Sequence, residues 1–429
     1  MNFVIFAVYT AYLIILIVKK AEFVFYIPLF HVLLDVSFYY LGPGSVATYY
    51  RGGVIAIYLI FIYKYFKFRF PLKIILFIFL GYIGILSLTS KEILYSLKGY
   101  SQVLLSMMMI PAGYYLINNI AKLNRLNWQF IIVIYVSVIL TAIGYIFDIG
   151  RQFNYAEGEQ KVGLLGSAGL YTGSVCIALL PMLIGSLRNK TLRITTYIAA
   201  IVLFIFILLN MRRTAIMIPF VGLVAFVLTT RKKFRYLSYI AAAGLIIVVA
   251  SVFYGGTLKK RFEFRQEEGR FEPDFYKTES RYLEVVRLAR STATFTDPLA
   301  SLFGIGHNIF AEHIQQKQIV RRMYHTDFAK LLYGSGITGL LLYLYICGAL
   351  VYHSRFYLKE QGAFLNQTKS MIFALSVINI ALMFNGSLNL ITLKSSLFLY
   401  IGALLRMYHT ELRARNKKIK TGGSVFPIS

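Results

Sequence analysis

The sequence predicts an all-α, polytopic membrane protein of about 12–14 transmembrane helices with one long, partly helical external loop. Three observations carry this prediction. The 429-residue chain is 58% hydrophobic, with 35 Phe and 33 Tyr, and its mean hydropathy is +0.65, values that soluble domains rarely approach. Apolar runs of about 17–25 residues, long enough to cross roughly 30 Å of hydrocarbon, recur along nearly the whole length. Lys and Arg gather in every second connector, the pattern of short cytoplasmic loops.

Taken in order, the apolar runs fall near residues 2–18, 22–41, 53–66, 72–89, 101–118, 128–148, 164–186, 194–210, 213–229, 237–254, 331–352, 370–387 and 391–408. The first lacks a basic leading region and ends at Lys19 and Lys20, so it reads as a signal-anchor helix rather than a cleaved signal peptide. Basic clusters follow at Lys64, Lys67, Arg69 and Lys73; at Lys122 and Arg125; at Arg188, Lys190 and Arg193; at Arg231, Lys232, Lys233 and Arg235; at Arg355, Lys359 and Lys369; and from Arg413 to Lys420. These connectors are assigned to the inside, which puts the opposite ones outside. The organisation is then an N-terminal membrane region over 1–254, an external loop over 255–330, C-terminal membrane helices over 331–410 and a basic cytoplasmic tail over 411–429.

The formal net charge of +27 is mostly a topology signal. Nucleic acid as a partner is excluded, because its binding wants basic residues on one soluble face with stacking aromatics. Cys176 and Cys347 fall inside apolar runs without metal-ligand spacing, so neither a disulfide framework nor a zinc site follows. Neither a repeat of fixed period nor a low-complexity tract is present, and the polar tail from Arg413 to Ser429 reads as disordered.

From Gly255 to Lys330 charged residues of both signs become frequent. Residues 279–291, ESRYLEVVRLARS, line up Tyr282, Val285, Val286 and Ala289 as the stripe of an amphipathic helix. Glu284 and Arg287 then fall on its polar side, with Arg281 and Arg290 at the margins. Such a helix either presents guanidinium groups to a lipid-linked phosphate, whose oxygens Arg matches bidentately, or is a solvated face whose charges pair among themselves. The passage TDPLASLFGIGHNIF follows, where Pro298, Gly304 and Gly306 impose bends that let the loop pack onto the membrane region. His307 there is open to a catalytic or a capping role.

The run RRMYHTDFAKLLYGSGITG carries more usable chemistry. Read as a helix entering the bilayer, it sets Arg321 and Arg322 on one face with His325. Two cations beside an imidazole favour its neutral, base-competent form; the alternative is an amphipathic ring at a membrane interface. Elsewhere, Arg212 and Arg213 occupy a tight external turn between two apolar runs, where they are costly unless they serve a ligand. His31 and Asp35, spaced i, i+4 within the second run, can pair on one helix face, either as a buried structural pair or as a proton path.

Four elements in this order resemble the O-antigen ligase and O-antigen repeat-unit polymerase superfamily of bacterial envelope glycan enzymes. They are the glycine-rich entrance GLLGSAGLYTGSVCIALLP (163–181), the turn NMRRTA (210–215), the loop passage PLASLFGIGHNIF, and HTDFAKLLYGSGITG leading into a span. Asn210 and Met211 depart from the serines of the family's turn, and the loop passage has two extra residues. The likeness covers roughly 160–352.

The resemblance implies an inverting, metal-independent glycosyl transfer on the periplasmic side of the bacterial inner membrane, from a polyprenyl-diphosphate-linked glycan to an acceptor hydroxyl. It implies that Arg213 with Arg212, and a loop arginine best matched by Arg287, hold the diphosphate while His325 sits by the acceptor. Arg281, Arg290, Arg321, Arg322 and His307 are secondary candidates. No metal and no cofactor are implied, and no Asp-x-Asp motif stands in the loop. The implied partners are the lipid-linked glycan, the bilayer, and a chain-length regulator or other envelope-glycan proteins. Polymerase of repeat units is the favoured form by analogy. The alternatives are ligation to lipid A-core and, from another class, a lipid-linked sugar flippase that would use His31 and Asp35 as a coupling pair.

Overall fold

Hydrocarbon offers no water to backbone N–H and C=O groups, so a spanning chain must satisfy them internally. The computed structural model does so with helices. It describes residues 2–37, 44–66, 70–147, 149, 152–155, 158–161, 164–165, 167–210, 213–231, 280–305, 307, 312–314, 321–355 and 363–420, with scattered positions over 233–263.

The helices are α1 (Asn2–Val18), α2 (Ile27–Ser37), α3 (Gly44–Ile62), α4 (Lys73–Leu88), α5 (Ile93–Met107), α6 (Met109–Leu116), α7 (Ile120–Ile146), α8 (Ser167–Ala178), α9 (Leu180–Ser186), α10 (Lys190–Leu209), α11 (Arg213–Thr229), α12 (Ser280–Ala293), α13 (Pro298–Phe303), α14 (Asp327–Arg355), α15 (Ala363–Leu382) and α16 (Ile391–Lys420). Among the described residues four helices are long and apolar enough to cross a membrane: Ile120–Ile146, Lys190–Leu209, Asp327–Ser354 and Phe364–Asn385. A fifth crossing follows if the bent pair α8 and α9 is one span. The chain is therefore a helical, multi-pass membrane protein.

Local sequence explains where helices start and break. Asn119 caps α7 by accepting the Lys122 N–H, and Asn189 caps α10 by accepting from Thr191 and Leu192. The run at 101–118 is two helices, α5 and α6, divided at Met108. The run at 164–186 is bent by 67° between α8 and α9, with Pro181 in the first turn of α9, where its missing N–H costs nothing. Two short antiparallel hairpins were not foreseen: β1 (Gln152–Tyr155) with β2 (Gly158–Lys161), and β3 (Glu312–Ile314) with β4 (Arg321–Met323). The tail departs from the disorder expected of it, because α16 stays helical as far as Lys420.

Helix α16 lies at the centre. Nearly every side chain from Ile391 to Tyr408 is buried. It crosses α6 backbone to backbone, since a Cβ on Gly113 would collide with the Leu399 carbonyl and one on Gly402 with the Ile110 carbonyl. A polar knot ties α2, α3, α8 and α16. Asp35 forms an ion pair with Arg51, its second oxygen accepts the Gly169 N–H at 2.6 Å, and His31 Nε2 lies 2.7 Å from Ser395 Oγ. The expected His31–Asp35 pairing is thus corrected. Arg51, two turns into α3, takes the carboxylate, and the imidazole turns to α16 instead.

Candidate functional site

The site is built where helix α12 packs on the start of α14. Thr326 begins α14 by accepting the Ala329 N–H at 3.1 Å on its Oγ1, a side-chain cap, and so fixes the backbone of His325 just before it. Glu284 reaches across from α12. One of its carboxylate oxygens accepts the His325 N–H at 3.0 Å and the other lies 3.2 Å from His325 Nδ1. The Glu284 side chain is 8% exposed and that of His325 30%, so the carboxylate is sheltered while the imidazole still meets solvent.

The register of α12 differs from the stripe expected. Leu288 and Thr292 are buried and Ala289 is exposed, so the inward face runs through Glu284, Leu288 and Thr292, spaced by four residues. Glu284 therefore belongs to the packed face rather than the polar one. A small apolar cluster of Leu288, Tyr324 and Ala329, flanked by Val285 and Tyr333, cements the joint. Burial raises the Tyr324 phenol well above its ordinary range, aided by Tyr333 and Glu284 and opposed by Arg287, so Tyr324 stays protonated.

Behind His325 stands the loop between α15 and α16. Gly386, at φ +61°, touches the His325 carbonyl so closely that a Cβ would overlap it. Two charged residues of α14 strap this loop down. Asp327 accepts the Leu388 N–H at 2.7 Å, and Lys330 Nζ donates to the Gly386 carbonyl at 2.9 Å and to Asn389 Oδ1 at 2.8 Å. Deeper in, Lys394 on α16 donates to Asn379 Oδ1 at 2.7 Å and lies within the field of Asp327. The buried Asp327 carboxylate thus lies within electrostatic reach of two buried ammonium groups, those of Lys330 and Lys394.

Among the sequence-chosen residues, Arg287 lies one turn beyond Glu284 on α12 and is exposed. Its charge acts on Tyr324, which puts it beside the His325–Glu284 pair. Arg290 is exposed a further turn along. Arg281 lies in the first turn of α12, its side chain outside the described residues, and Arg212 lies outside them altogether. Arg213 opens α11 and is exposed. One turn on, at the same face of α11, Met217 Sδ receives Asn385 Nδ2 at 3.4 Å, so the start of α11 borders the Gly386 loop.

One expectation is corrected. Arg321 and Arg322 do not share a helix face with His325: they lie on β4, paired with Ile314 and His313, and the helix begins only at Asp327. His307 makes packing contacts with the end of α4 and with α5, in keeping with the capping or packing role weighed for it. Its Nδ1 lies 3.0 Å from Thr89 Oγ1, its carbonyl accepts from Ser96 Oγ at 3.0 Å, and its φ of +46° sets a tight bend. The nearby glycines mate across the joint, for Gly304 and Gly336 leave no room for a Cβ against each other's strands of backbone. Tyr82 pins the same contact by donating to the Ser335 carbonyl at 2.7 Å.

Sequence reasoning missed Glu284 as a partner and also Asp327, Lys330 and Lys394. For Lys394 a signal existed, a cation inside an apolar run; for Glu284 the apolar stripe pointed the wrong way. Among the described residues no group of three or more His, Cys, Asp or Glu side chains could hold a metal ion. No family model matches the chain, and no curated protein does so either.

Proposed function

We propose that the protein is a glycosyltransferase that polymerises polyprenyl-diphosphate-linked oligosaccharide repeat units at the outer face of a bacterial inner membrane. The pairing of His325 with Glu284 carries this proposal. A carboxylate that holds Nδ1–H fixes the ring and leaves Nε2 as a base for an acceptor hydroxyl. In the step proposed, the hydroxyl oxygen bonds to the anomeric carbon with inversion as its proton passes to Nε2. The bond from that carbon to the diphosphate oxygen breaks, and the electron pair leaves with the diphosphate. Arg287 and Arg213, with Arg212, would stabilise that charge at the membrane edge, where such interactions exceed their strength in water. The finer topology belongs to the same proposal: shorter apolar helices such as Tyr9–Val18, Lys73–Leu88 and Arg213–Thr229 complete about thirteen crossings, with the α12–α14 joint outside.

The test is a reconstitution of the purified full chain in nanodiscs with polyprenyl-diphosphate-linked oligosaccharide, a chelator, and neither nucleotide nor added metal. A ladder of longer lipid-linked glycans is expected, and His325→Ala should lower its rate by about a hundredfold or more. No ladder from the wild-type protein, or an undiminished one from His325→Ala, overturns the proposal. Transfer seen only when lipid A-core is supplied would reassign the acceptor and make the protein a ligase.

A further inference from the structure

Far along α11 from Arg213, a cavity of about 580 Å³ opens between α8–α9, α10, α11 and the helical residues around Tyr236 and Ile240. This size is typical of ligand pockets. The bend between α8 and α9 shapes one wall, held by Gln367 Nε2, which donates to the Pro181 carbonyl at 2.8 Å. Aliphatic and aromatic side chains line it, with Ala200 buried and Phe220 exposed at its open side.

Polar lining residues gather at one end. Arg193 lies in the first turn of α10, Arg231 just beyond α11, and Asn366 and Gln367 in the first turns of α15. Lys369 stands near enough to Arg231 for the two cations to repel. No acidic side chain lines the cavity among the described residues. Arg193 is oriented by its Nε, which donates to the Leu187 carbonyl, so the rest of its planar fork is held in place.

The dimensions select the occupant. From Arg193 to Phe204, α10 rises about 16 Å, and from Pro219 to its end at Thr229, α11 covers about 15 Å. Each is close to half of the roughly 30 Å hydrocarbon thickness. The cavity therefore suits a chain that spans one leaflet and carries an anionic head, whereas a polyprenyl chain would overrun it. Its cationic end falls among the basic connectors at 188–193 and 231–235, which the distribution of Lys and Arg assigns to the cytoplasmic side. We infer that this cavity is a site for an anionic phospholipid of the cytoplasmic leaflet, with its phosphate at Arg193 and Arg231 and an acyl chain among Ala200, Phe204 and Phe220.

The full-length protein, delipidated and reconstituted in phosphatidylcholine nanodiscs containing a minor fraction of spin-labelled phosphatidylglycerol, provides the test. The immobilised lipid component and the lipid retained in native mass spectrometry should both favour phosphatidylglycerol. Arg231→Gln should lower that preference about fivefold, the effect of one cation near an anionic headgroup. Ala200→Phe leaves every charge in place but fills the cavity, and should abolish immobilisation while lipid around the perimeter is unaffected. Equal retention of phosphatidylcholine, an unchanged preference in both variants, or displacement of phosphatidylglycerol by polyprenyl phosphate would each overturn the inference.

Discussion

Glu284 holds His325 at two points, through the backbone N–H at 3.0 Å and through Nδ1 at 3.2 Å, although 41 residues separate them. A carboxylate that binds both the main chain and the ring fixes position and orientation together. Helix α12 is thereby part of the candidate site rather than a cover over it.

Glu284→Gln keeps an acceptor for the backbone N–H but removes the charge facing Nδ1. A hydrogen bond to a charged group contributes about 1.5–3 kcal/mol, so glycan transfer should fall roughly tenfold to a hundredfold. The protein should still insert and purify like the wild type. Ladder formation at an unchanged rate in Glu284→Gln would remove Glu284 from the mechanism.

Gly386→Ala places a methyl group against the His325 carbonyl and forces a left-handed backbone on a residue that disfavours it. Strain of this kind costs about 1–3 kcal/mol. A lower thermal midpoint in nanodiscs and slower transfer should appear together, since the same carbonyl belongs to His325, the proposed base. A variant with wild-type midpoint and rate would mean that the loop does not seat as described.

Arg213→Lys tests whether a point charge suffices at the start of α11. If a diphosphate is held in bidentate fashion there, the lysine variant should retain only a minor part of the activity, with the loss seen mainly in the donor concentration dependence. Full activity in Arg213→Lys would reduce its role to charge alone.

In the knot around Asp35, removal of either partner leaves a buried charge uncompensated, which costs about 3–5 kcal/mol. Asp35→Ala and Arg51→Ala should each lower the thermal midpoint sharply. Their combination should cost clearly less than the sum, as coupled neighbours do. Additive losses would show that the two side chains act separately.

The apolar runs were legible because hydrocarbon imposes a length and a composition on any segment that crosses it. Arg287 was legible as a cation on an amphipathic helix, and His325 as an imidazole at the edge of a span. What stayed hidden was pairing across distance. A periodicity rule sees the apolar positions of residues 279–291 but not that the Glu284 carboxylate has a partner beyond the loop. Arg321 and Arg322 fit a helix locally; strand pairing with residues 312–314 overrides that preference because it is non-local. Gly304 announced a bend, yet only packing reveals that it sits against the backbone beside Gly336.

Helix α16 is synthesised after every other described helix that packs on it, and it is buried along most of its length. Helices α2, α5, α6 and α8 all lean on a segment that the ribosome has not yet made when they enter the membrane, and so does the Gly386 loop that backs His325. Until that segment arrives, their polar contacts, including His31 with Ser395, have no counterpart. A nonsense change near residue 390 should therefore be as damaging as one near the start, because it removes the segment on which those helices pack.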